Sequence, residues 1–149
     1  MLVYYFWVWG VFALATAICA AAGLWGGKPE RICAATLWIA WALSLAAGYL
    51  DRKGIGNPIV VIDSVCLVIF IAVSLKWRHI WTLLVAASQL DDVMSHFTAK
   101  MLNYGLWSYA MVTGLWGGQF IMICLLVATI AHQRRLRRTQ PVALASEAG

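Results

Sequence analysis

The stretch SQLDDVMSHF, residues Ser88 to Phe97, sets two adjacent carboxylates and a histidine in a chain that otherwise avoids charge. On a helix, residues three and four apart share a face. Ser88, Asp92, His96 and Lys100 therefore align at steps of four, with Gln89 and Ser95 beside them. Asp91 points about 100° away from Asp92, as the 3.6-residue period requires. A stripe of carboxylate and imidazole groups can exchange protons or hold a cation, because histidine changes charge near neutral pH. The plainer account has Asp92 pairing with His96 or Lys100, and Asp63 with Arg52 or Lys53, at solvated helix ends where polar groups cost little. Both accounts depend on the elements that carry these residues.

Those elements are strongly apolar. Of 149 residues, 63% are hydrophobic and 11% are charged, under half the roughly 25% charge of ordinary soluble domains. Met1 to Gly27 holds no charged side chain, and Ile32–Leu50 and Val65–Leu75 are equally free of Asp, Glu, Lys and Arg. Such blocks approach the roughly 20 residues needed to cross a bilayer core, so the sequence predicts an integral membrane protein. The first block lacks the basic start of a secretory signal and runs longer than its usual apolar core. Although Ala20 to Gly23 resemble a cleavage site, an uncleaved first helix is expected.

The fold class expected is all-α, a polytopic transmembrane bundle of five helices with four as the alternative. The predicted helices are Leu2–Leu24, Ile32–Leu50, Ile59–Leu75, Ile80–Phe97 and Leu106–Ala131, so residues 1–138 form the bundle and 139–149 a flexible cytoplasmic tail. Glycine and proline punctuate GGKPER and DRKGIGNP, and short connections imply antiparallel neighbours. The fourth helix is the weak inserter, since a central aspartate costs about 2.5–3.5 kcal/mol. With the C-terminus inside, Lys28, Arg31, Lys76, Arg78, Arg134, Arg135, Arg137 and Arg138 lie on the inner side, against Arg52, Lys53 and Lys100 outside. That bias predicts an outer N-terminus. It also puts Asp63, Asp91, Asp92 and His96 within one or two turns of each other in depth, open to the outer face.

Other features point to packing. Gly114 and Gly118 share one helix face and permit close backbone approach, as do Ala13, Ala17 and Ala21 in the first helix. Cys19, Cys33, Cys66 and Cys124 are scattered without metal-ligand spacing and read as small hydrophobes. Asp91, Asp92 and His96 offer oxygen and nitrogen ligands, but no paired-histidine motif accompanies them. His79 and His132 fall at the inner face on different helices, with no haem-binding motif around them. No cofactor or metal is expected, and no enzyme motif is found. The basic run HQRRLRR serves orientation and anionic lipid binding, without a nucleic-acid partner.

The segments GGKPERICAATLW, KWRHIWTLLVAASQL leading into SHFTAK, and LWSYAM before a last helix closed by HQRRLRR resemble those of a loose set of small, uncharacterised multi-pass inner-membrane proteins of alphaproteobacteria. The resemblance implies a bacterial inner-membrane location and brings no activity with it. The leading functional expectation is an accessory or assembly subunit, packing in the lipid bilayer against a membrane-protein partner or as a homo-oligomer. The alternative is a small proton- or cation-linked transporter or channel using the Asp/His cluster.

Overall fold

A computed structural model describes the backbone of residues 2–50, 57–102 and 118–147, with side chains over 9–47, 58–98 and 118–139. Among these residues the chain is all-α, with five helices and no strand: α1 (Leu2–Trp25), α2 (Lys28–Leu50), α3 (Asn57–Trp77), α4 (Ile80–Leu102) and α5 (Ile121–Glu147). A π-helical turn at 118–120 leads into α5. The expected start of the fifth helix at Leu106 lies outside the described residues, and α5 runs on to Glu147 through the segment expected to be a tail.

Local signals explain the tight links. Gly26 and Gly27 alone separate α1 from α2, and Pro29 falls in the first turn of α2, where its missing N–H costs nothing. At the link between α3 and α4, Arg78 takes the left-handed conformation (φ 54°) and its N–H bonds the Ser74 carbonyl at 2.9 Å. This is a helix C-terminal cap of the kind usually given to glycine. The His79 carbonyl then accepts the Thr82 hydroxyl at 2.7 Å and the Thr82 N–H at 3.1 Å, which starts α4.

The helices close into a ring in which α1 packs on α2, α2 on α3, α3 on α4, α4 on α5 and α5 back on α1. The core lies along its axis: Ala15, Cys19 and Ala22 of α1, Cys33 and Leu37 of α2, Phe70 and Val73 of α3, Val85 of α4, Ile121 and Leu125 of α5. Spacings of three and four on each helix produce one inward stripe. The four cysteines are free and buried among these residues. The inward small-residue ridge of α1 is thus Ala15–Cys19–Ala22, whereas Ala13 and Ala17 are exposed and Ala21 is half-buried. The expected ridge of Ala13, Ala17 and Ala21 lies mostly on the outward side of α1, where Trp38 of α2 donates a 3.2 Å bond to Thr16.

The outer surface is apolar. Val61, Val68 and Leu75 of α3 and Leu43 of α2 each expose half or more of their area. Among the described residues, two helices are long and apolar enough to cross a bilayer, α2 over Lys28–Ala47 and α3 over Pro58–Trp77, and Trp9–Trp25 forms a shorter apolar stretch. In α4 the usual arrangement is inverted. Thr82, Ser88, Gln89, Asp92 and His96 are buried together with Val85, Ala86 and Val93, while Leu83, Leu84, Leu90, Met94 and Phe97 face outward, with Asp91 as the one charged residue on that side among those described. In water, that rotation would expose the apolar face and bury the polar one, the reverse of an amphipathic helix in a soluble protein.

Candidate functional site

Two helices build the main site. Asp63 sits in the second turn of α3, and Asp92 and His96, one turn apart, occupy the inner face of α4. Because α3 and α4 run antiparallel and pack closely, the early part of one meets the late part of the other. The His96 Nε2 lies 2.8 Å from Asp63 Oδ2, with His96 only 2% exposed and Asp63 15%. The imidazole and that carboxylate share a hydrogen across the helix pair. Asp92 is 5% exposed, and its Oδ1 has no hydrogen-bond partner. Its other oxygen, Oδ2, accepts a long bond from the Gln89 amide at 3.4 Å, and the same amide reaches the Asp63 carbonyl at 3.5 Å. Ser95 turns its hydroxyl back to the Asp92 carbonyl at 2.6 Å.

One donor atom each from Asp63, Asp92 and His96 can be chosen so that all three lie within 4.8 Å of one another. Two carboxyl groups and one imidazole thus meet on the inner side of the helix pair, largely shielded from solvent. Buried charge is tolerated when paired, and here Asp92 Oδ1 has nothing to pair with. A proton or a metal cation could occupy this geometry.

The other residues of the expected cluster divide. Ser88 is buried on the same face one turn before Asp92. Asp91 is exposed on the outer side of α4 and stands apart from the three, as its offset from Asp92 dictates. The side chain of Lys100 lies outside the described residues, as do Arg52 and Lys53 and therefore the alternative partners they offered. The expected pairing of His96 is with Asp92, one turn away on the same helix; the 2.8 Å contact is made across the helix pair to Asp63. Gly114 lies outside the described residues. Gly118 packs within the chain, against Trp41 of α2.

Comparison with protein-family models, with curated proteins and with solved structures returned no match. The geometry therefore stands on its own.

A second polar group occupies the opposite end of the bundle. Lys28, Glu30, His79, His132 and Arg135 line a cavity of about 290 Å³ with Trp77 and Trp81. Glu30 is 5% exposed and its Oε2 has no partner. Gly27 leaves room for both Glu30 Oε2 and the His132 ring, which stand 3.0 and 3.1 Å from where a Cβ would be. The Gln133 amide ties this end to α1 by donating to the Trp25 carbonyl. His79 and His132 thus line one cavity, as their shared face suggested, while Glu30 was missed. Its signal was present: Lys-Pro-Glu after Gly-Gly marks a helix start, with proline and an acidic residue in the first turn. Read so, α2 begins at Lys28 and Glu30 belongs to the bundle end.

Proposed function

We propose that the chain is a small multi-pass inner-membrane protein that carries out a cation-linked transport step through Asp63, Asp92 and His96. The observation that carries this reading is the unpartnered Asp92 Oδ1, buried beside the His96–Asp63 pair. Ionisable groups inside a membrane bundle are costly and mark ion pathways unless fully paired. The inverted α4 supports the membrane placement, since lipid is the solvent that suits Leu83, Leu84, Leu90 and Phe97 outside and Asp92 and His96 inside. The short links holding Lys28 and Arg78 gather at the end where the basic run of α5 lies, which favours that end as cytoplasmic and the N-terminus as external. The cluster then faces the outer half of the bilayer.

The test is reconstitution into liposomes with fluorescent reporters for protons and for metal cations. Wild-type protein is expected to give cation flux that Asp92→Asn and His96→Ala remove while circular dichroism stays helical. Undiminished flux in folded Asp92→Asn protein would sink the proposal.

A second reading, association with another membrane helix, has its own support. Gly10, Ala13, Ala17 and Ala20 recur at steps of three and four along α1 and are all exposed, and Gly10 has open space around it. Small residues on such a face permit close helix approach in lipid. A homo-oligomer or a larger complex would use this face, leaving the site inside the bundle free to work.

A further inference from the structure

We propose that the cation taken by the Asp63–Asp92–His96 cluster is a divalent first-row transition metal ion, held by one oxygen from each aspartate and one ring nitrogen of His96. The inference rests on the reading of this cluster as a cation site and names its chemical class.

Three observations carry it. The donor set is two carboxylates and one imidazole. Two carboxylates balance the charge of a divalent ion, and the nitrogen ligand suits manganese, iron, cobalt or zinc. Calcium takes six to eight oxygens instead, and magnesium keeps most of its water. The spacing also fits. Metal–nitrogen and metal–oxygen bonds of about 2.1 Å place adjacent ligands roughly 3 Å apart and opposite ligands roughly 4.2 Å apart. His96 Nε2 and Asp63 Oδ2 already stand 2.8 Å apart, and all three donors lie within 4.8 Å. Taking the widest separation from 4.8 Å to those distances needs an adjustment of about 0.6–1.8 Å. Finally, Asp92 Oδ1 is buried and unpartnered, while Gln89 engages the other oxygen at 3.4 Å. That contact holds the carboxylate through one oxygen, as outer partners of metal ligands do.

Among the described residues three protein ligands are offered, and three such ligands leave positions open, as in sites that exchange ligands rather than sites that lock a structural metal. That incompleteness suits an ion in transit. Metal entry would displace the hydrogen that His96 Nε2 shares with Asp63 to Nδ1 of the same ring, keeping the imidazole neutral, and form one nitrogen–metal and two oxygen–metal bonds with no change of oxidation state.

The experiment is titration of the full-length protein, purified in mild detergent and treated with chelator, with cobalt(II). One equivalent is expected to bind, with visible d–d absorption, and zinc(II) should displace it. Asp92→Asn and Asp63→Asn are expected to weaken binding by at least about 10–100-fold, the loss typical of disturbing even an outer-shell partner. Asp91→Asn removes the same charge one residue away and should bind as the wild type does. Should the aspartate variants misfold, X-ray absorption on the wild-type cobalt complex decides, since one imidazole among oxygen donors is required. Absence of stoichiometric binding, or binding untouched by Asp92→Asn in folded protein, overturns the inference. Proton flux in liposomes that persists under chelator, with no metal bound, overturns it while leaving the transport reading in place. Stoichiometric binding without any flux supports the metal site and removes transport.

Discussion

Gly118, at the turn into α5, lies against the indole of Trp41 in α2: a Cβ at position 118 would stand 2.5 Å from the ring's Cζ2. The glycine is therefore spent on packing inside the chain. Gly118→Ala should destabilise the bundle by about 1–3 kcal/mol, the usual range for overpacking. Trimming the ring in the double variant Gly118→Ala/Trp41→Leu should cost less than the sum of the single changes. Thermal unfolding in detergent reads both. Equal stability of wild type and Gly118→Ala would mean the ring does not sit there.

The His96–Asp63 pair should behave as one unit. Removing either partner leaves a buried charge or donor alone, which costs about 3–5 kcal/mol. His96→Ala and Asp63→Ala should each approach that loss, while the double variant adds little. Additive losses in equilibrium unfolding would show that the two side chains do not meet.

Glu30 makes the opposite prediction. Its Oε2 is buried with no partner, and a buried unsatisfied group costs about 1–3 kcal/mol. Glu30→Gln removes the charge at nearly constant shape, so the melting temperature should rise. A fall would show that the carboxylate has a partner that stabilises this end of the bundle.

On α1, enlarging the outward face tests association without touching the core. Ala17→Leu leaves the bundle helical and as stable as the wild type, because Ala17 is exposed. Intact-complex mass in mild detergent should shift to a smaller species if this face joins two helices. An unchanged mass would remove the face from consideration.

Much of the helix framework could be read in advance, because long uncharged blocks and Gly–Pro punctuation are local signals. α1 is expected to end at Leu24 and ends at Trp25, and α4 starts at Ile80 as expected. Depth was legible too, since a fixed rise per residue puts Asp63 level with Asp92 and His96. Rotation was not. Whether His96 meets Asp92, Lys100 or Asp63 depends on how α3 and α4 turn about their own axes, and the whole ring sets that angle. The same limit explains why Ala15, Cys19 and Ala22, rather than Ala13, Ala17 and Ala21, face inward. It explains Gly118 as well, since only the placement of Trp41 reveals what fills the space beside it.

The two-residue link at Arg78 and His79 has a consequence for biogenesis. All three proposed ligands lie on the two helices it joins, within a single hairpin. α3 is strongly apolar, whereas α4 carries the aspartates that make it a reluctant passenger for the insertion machinery. On the proposed membrane placement, a pair joined so tightly would leave the translocon together, with His96 already meeting Asp63 and the polar stripe shielded before lipid reaches it. Lengthening the link with a flexible insert should then reduce insertion of α4 far more than insertion of α3, measurable by glycosylation or protease mapping during synthesis. Insertion efficiency unaffected by the insert would show that α4 enters on its own.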